Sequence, residues 1–222
     1  PGIWVCLGGD FFSGAIHDEL VETNWCPVAG QGFQLKEVIA GALVRLADEF
    51  GEIHLPCVVG NHGRNAKRPR AKLRVHENSE YWLYRALAEH FAGDERFHFV
   101  VSEQTDVDFQ VYGHRFKLTH GDALGVKGGD GQIGALGPIT RGTLKTNASE
   151  RQLRREFDTL IIGHWHSYQP RGQLVPAIVN GTLKGYDEYA RTFLRAPFGK
   201  PSQALWLVSP KHGIAAQWEV FV

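Results

Sequence analysis

The stretch Asp158–Tyr168, D-T-L-I-I-G-H-W-H-S-Y, decides how the rest of the chain is read. Thr159–Ile162 is a short β-branched apolar run of the kind that forms a buried strand. Gly163 breaks it just before His164 and His166, spaced i, i+2. At the mouth of a buried strand that spacing can turn two imidazoles toward one point, and imidazole is the commonest protein ligand for a transition metal. A lone His-x-His fits surface or packed histidines better than a metal site, so the reading turns on what the other strands deliver.

Working outward, the same pattern recurs. Ile3–Leu7 is an apolar run that ends in Gly8, Gly9 and Asp10, a carboxylate at the carboxyl end of a strand, where ligands gather in open α/β sheets. Turn chemistry around Ser13 and Gly14 explains Asp10 equally well. Leu35, Val38, Ile39, Ala42, Leu43, Leu46 and Phe50 keep helical spacing and predict an amphipathic helix ending before Gly51. Ile53–Val59 is the next strand, followed by Gly60, Asn61, His62, Gly63 and Arg64. The basic run Arg64, Lys67, Arg68, Arg70, Lys72, Arg74 reads first as a solvated loop and second as a guide for phosphates. Ser79–Phe91 reads as a helix capped by Asn78 or Ser79. Phe97–Val101, Asp108–Tyr112 and Arg115–Thr119 read as strands, the last two joined at Gly113 and His114, and the third delivers His120, Gly121 and Asp122. Gly121–Gly142 is a long glycine-rich connection, Ala148–Phe157 a short charged helix, and Tyr186–Leu194 a further helix. Pro176–Asn180, Ala204–Val208 and Ile214–Phe221 complete the strands.

With 222 residues the chain is long enough for one large domain, and no linker divides it. No apolar run approaches the length that crosses a bilayer, so neither composition nor patterning suggests a membrane partner. Lys plus Arg equals Asp plus Glu at 24 each, so net charge offers no argument for nucleic acid, which only the local basic run keeps open. Cys6, Cys26 and Cys57 are odd in number and form no Cys-x-x-Cys pair. Free thiols in a reducing, cytoplasmic setting are the expectation.

The ordered series Gly9-Asp10, Gly60-Asn61-His62, His120-Gly121 and Gly163-His164-Trp165-His166, each after an apolar strand, resembles the calcineurin-like metallophosphoesterases over residues 9–166. Two local stretches, G-D-F-F-S-G-A-I-H and V-V-G-N-H-G-R, look like a phage or mobile-element branch. The resemblance implies an α/β fold, a four-layer α-β-β-α sandwich forming a single domain over 1–222. It further implies two divalent metal ions (Mn, Fe, Zn or Ni), with Asp10 bridging, Asn61, His120 and His164 completing one site, and His166 in the other. His62 is then the general acid and Arg64 a binder of substrate phosphate. The implied reaction is hydrolysis of a phosphodiester, nucleic acid or nucleotide included, or of a phosphomonoester, by a metal-bridging hydroxide.

The departures are as informative. Gly63 and Ser13 stand where many members carry acids, which leaves the carboxylate that orients the catalytic histidine unassigned, with Asp122 as a substitute or a mere turn residue. His17 and Asp18 follow the first motif and could approach the site, but read first as surface or packing residues. The family's first motif, Asp-x-His, is absent, and the methionine-free start at Pro1 suggests that a strand and helix precede it in the native protein. The alternative class is a non-catalytic scaffold domain that keeps a metal.

Overall fold

The computed structural model describes residues 2–124, 136–185, 188–192 and 199–222. It is an α/β structure whose chain divides into two compact units, Pro1–Val107 with Leu118–Asp122, and Asp108–Lys117 with Ala123–Val222.

The first unit runs β1 (Gly2–Trp4), α1 (Asp18–Thr23), α2 (Val28–Phe50), β2 (Glu52–Cys57), α3 (Ser79–His90) and β3 (Phe97–Val101). The three strands are parallel in the order β1-β2-β3, with Ile53 opposite Ile3 on one side and Phe97 on the other. Alternation along β2 sends Ile53, Leu55 and Cys57 into one core with Leu43 and Ala47 of α2 and Tyr84 and Leu87 of α3. That core fixes the strands whose carboxyl ends carry Asp10 and Asn61. Past Trp4 the chain stays in register with β2, Val5 N–H donating to His54 and Leu7 N–H to Pro56, so the expected strand to Leu7 is present as a looser continuation. The helix expected from Leu35 starts at Val28. Gly30 and Gly32 dilute the helical signal there, yet a Cβ on Gly30 would crowd the Cys26 sulfur at 3.1 Å, while Gly32 is in ordinary contact with the Phe12 ring.

The remaining elements are β4 (Asp106–Val111), β5 (His114–Thr119), α4 (Leu136–Gln152), β6 (Thr159–Ile162), β7 (Ala177–Val179), α5 (Glu188–Thr192), β8 (Ser202–Ser209) and β9 (Gly213–Phe221). A four-stranded sheet has the order β4-β5-β6-β7, and β8 and β9 form an antiparallel hairpin. All four residues of β6 are buried, and Leu160 and Ile162 pack with Ala177, Val179, Phe157 and Ile139. The β4–β5 turn lies one residue earlier than expected. Tyr112 and Gly113 take left-handed φ values of 49° and 87°, as a two-residue hairpin turn of matching twist requires.

Two helix expectations are corrected. The short helix at 148–157 is the end of a 17-residue α4, which ends at Gln152, ahead of β6. Its first turn, Leu136-Gly137-Pro138, reads as loop in sequence, but proline is tolerated there because the first N–H groups of a helix have no internal acceptor. The expected helix at 186–194 falls partly outside the described residues, of which Glu188–Thr192 is helical. Most of the glycine-rich connection, 125–135, also lies outside them.

Candidate metal centre

Three predicted ligands meet within the first unit. Asp10 follows β1, Asn61 follows β2, and His120 follows β5 and is 2% exposed. His120 Nε2 lies 3.0 Å from Asp10 Oδ2 and 3.1 Å from Asn61 Oδ1. Its other nitrogen, Nδ1, is 2.8 Å from the Gly8 carbonyl oxygen, which can only accept. Nδ1 therefore carries a proton, and Nε2, which faces the carboxylate and the amide, carries a second one toward Asp10 and is the nitrogen a metal would take in that proton's place. Burial works against the charge on Asp10, but the hydrogen bond and charge of His120, with the His62 backbone N–H, bring its pKa down to about 2. Burial likewise opposes a charged His120, and the Asp10 carboxylate outweighs it and raises that pKa.

The loops bearing these groups touch backbone to backbone. Gly9 has φ 89°, and a Cβ there would stand 2.3 Å from the Gly60 nitrogen. A Cβ on Gly60 would collide with the Asp10 carboxylate. Asp10 itself sits at φ 58°, a conformation costly for any residue but glycine. The surrounding hydrogen bonds hold it there, among them His62 N–H donating to Asp10 Oδ1 at 2.8 Å.

A residue the sequence did not single out fastens the two loops. Glu80, in the first turn of α3, is fully buried and accepts from Phe11 N–H at 2.7 Å and from Gly60 N–H at 2.5 Å. Burial foremost, then the nearby Asp10 charge, pushes its carboxyl up to about 7 against the pull of those two N–H groups. Asn78 is the cap of α3, accepting from Glu80 N–H at 2.9 Å while donating to the Gly60 carbonyl at 2.8 Å. A side chain at Gly63 would run into Asn78 and Glu80, so an acid at that position has no room. The sequence signal was the Asn78-Ser79-Glu80 helix start, which read as capping alone.

His62 is half-buried, and its Nδ1 lies 2.9 Å from the Ser13 carbonyl. That carbonyl can only accept, so Nδ1 carries the proton between them. Asp122 is engaged elsewhere, in a salt bridge to Arg74 at 2.5 Å. His17 stands edge-on to the His62 ring at 6.0 Å, the second of its two sequence readings, and Asp18 pairs with Lys67. Arg64 is committed to its own loop, donating to the carbonyls of Ala66, Asn61 and Lys67. Arg70 pairs with Glu77, so four of the six residues in the basic run are internally engaged.

His164 and His166 belong to the second unit, just past β6. Both take left-handed backbone conformations, φ 63° and 55°, with Trp165 between them packed against the core of that unit. Neither is glycine, so the surrounding structure must hold each in a conformation that L side chains adopt less readily.

No protein-family model and no curated protein matches the chain. Among solved structures it is similar to Vps29 from Entamoeba histolytica complexed with zinc, at 18% identity and a TM-score of 0.39, covering 80% of this chain and 87% of that one. It is also similar to vacuolar protein sorting 29 from Cryptosporidium parvum, at 14% identity and a TM-score of 0.38, covering 100% and 97%. Likeness at this level assigns neither family nor activity.

Proposed function

We propose that the chain is a metal-dependent phosphoesterase of the calcineurin-like type. The observation that carries this reading is that the buried His120 Nε2 lies 3.0 Å from a carboxylate oxygen of Asp10 and 3.1 Å from the amide oxygen of Asn61, with Nδ1 held by the Gly8 carbonyl. That donor set suits a divalent transition ion such as Mn, Fe, Zn or Ni. Asp10, Asn61 and His120 would hold it, His164 would complete the set, and His166 would serve a second ion. Such ions supply Lewis acidity to phosphoryl oxygens and acidify water toward neutral pH.

The chain's own groups do the rest. His62, its ring oriented by Ser13, gives the proton on Nε2 to the departing oxygen. Arg64 shapes the loop beside Asn61, through which a phosphate would be met, and the exposed Arg68 and Lys72 extend positive charge along it. Phosphodiesters of nucleotides or nucleic acid are the substrate class this favours. Cys6, Cys26 and Cys57 are free, in keeping with a cytoplasmic protein.

The test is hydrolysis of a chromogenic phosphodiester by the chain supplied with Mn, with and without prior chelation. His164→Ala should lose metal and turnover together. Undiminished hydrolysis by His164→Ala after chelation would sink the assignment. Stoichiometric metal with no turnover on any phosphoester would point instead to a scaffold that keeps its ion.

A further inference from the structure

A second set of metal-ligating side chains lies in the first unit, at the opposite end of β2 from Asn61. Glu52 opens β2 and His54 follows two residues later on the same face. His98 of β3 is the register partner of His54, and Trp4 of β1 is its partner on the other side. The three rings form a ladder across the sheet, Trp4 to His54 at 4.5 Å and 18°, His54 to His98 at 4.8 Å and 19°. Glu52 Oε2 reaches both imidazoles on the same nitrogen, 3.7 Å to His54 Nε2 and 3.5 Å to His98 Nε2. All three donor atoms fall within 4.8 Å of one another.

We propose that Glu52, His54 and His98 form a separate binding site for a divalent transition metal, with zinc the best fit and water in the fourth position. Zinc at about 2.1 Å from each ligand in a tetrahedral shell needs ligand atoms roughly 3.4 Å apart, close to the two carboxylate distances. Two imidazoles and one carboxylate are a recognised zinc set that leaves one position open. The side chains are 29%, 45% and 63% exposed for His54, His98 and Glu52, so an ion can enter from solvent without disturbing the core. Sheet register already holds both side chains on one face, and coordination requires the exposed rings to turn out of their stack so that the two in-plane Nε2 lone pairs meet at one ion. Nor is the set a by-product of core packing: Ile53 and Leu55 point into the core from the opposite face of β2. From His54 to Asn61 the chain runs on the order of 20 Å, too far for this ion to touch the Asp10 centre.

Trp4 provides a reporter. Copper or nickel held on the stacked His54 ring quenches the adjacent indole, whereas an ion at Asp10 is remote from it. In the full chain, stripped with chelator and dialysed against zinc, His98→Gln and Glu52→Gln should each bind one equivalent fewer than wild type, or bind that equivalent at least tenfold more weakly. Titration with copper should quench fluorescence, and the part of the quenching that belongs to Trp4 should disappear in both Trp4→Phe and His98→Gln, leaving only what an ion beside Trp165 of the His164 segment produces. Both substituted ligands are substantially exposed, so these variants should fold. Equal zinc content in wild type, His98→Gln and Glu52→Gln, or copper quenching as deep in Trp4→Phe as in wild type, would overturn the proposal. Because Asp10 and His120 are untouched in every variant, failure here leaves the phosphoesterase reading standing, and loss of turnover on chelation tests that reading alone.

Discussion

At the scale of single residues, the site is decided by which atom each group turns toward its neighbours. His62 has its Nδ1 on the Ser13 carbonyl, a neutral acceptor in place of a carboxylate. A carbonyl fixes the ring as well as a carboxylate does, but adds no charge to stabilise an imidazolium. His62→Gln should therefore keep the metal content of the wild type and lose about 10²–10⁴-fold in turnover on substrates with poor leaving groups, while a nitrophenyl ester, which needs little protonation, should lose far less. Steady-state rates on an alkyl and a nitrophenyl diester, with metal analysis alongside, check this, and lost metal would move His62 into the coordination shell. His62 was legible in sequence because Gly60-Asn61-His62 follows an apolar strand. Glu80 was not, because nothing near it in sequence hints that its two oxygens bind the N–H groups of Phe11 and Gly60, residues 69 and 20 positions away. Gly63, where the resemblance leads one to expect an acid, was a visible anomaly. Its explanation, Asn78 and Glu80 filling the space from another element, exists only in three dimensions.

At the scale of elements, helix α3 holds the site's loops together through its first turn. The Asn78 side chain accepts from Glu80 N–H and donates to the Gly60 carbonyl, and Glu80 closes the circuit on Gly60 N–H. Asn78→Ala removes a cap, worth about 0.5–2 kcal/mol, and orphans a buried carbonyl, worth about 1–3 kcal/mol. The combined loss should be about 2–4 kcal/mol, seen as a lower urea midpoint at unchanged slope. Asn78→Asp keeps the acceptor and loses the donor, so it should recover only the capping share. Full recovery by Asp would mean that the bond to Gly60 contributes nothing. The elements most legible in sequence are β2, β3 and α3, whose burial follows a simple period, and β6, an unbroken buried apolar run. Those misread, the start of α2 and most of α4, contain Gly30, Gly32, Gly137, Pro138 and Gly142. Gly142 sits against Leu124, as Gly30 sits against Cys26, so tight packing selected small residues that weaken the local helical signal.

At the scale of the whole molecule, the proposed ligands are divided between the two compact units: Asp10, Asn61 and His120 in the first, His164 and His166 in the second. An ion that binds only the folded state stabilises whatever cooperative unit supplies its ligands, by about 2.7 kcal/mol at a hundredfold excess over Kd. For a chain of this length that corresponds to a rise in Tm of about 5–10 °C. Calorimetry with manganese in the His98→Gln background, where the Glu52 set is disabled, then reads out the ligand set. If His164 is a ligand, manganese should raise the melting of both units together, and His164→Ala should confine the rise to the first unit or abolish it. If Asp10, Asn61 and His120 hold the ion unaided, only the transition of the first unit should move, and His164→Ala should leave that shift intact. The latter outcome would remove His164 from the coordination shell, and His120→Ala, which takes away the buried Nε2 in either case, should abolish the shift altogether.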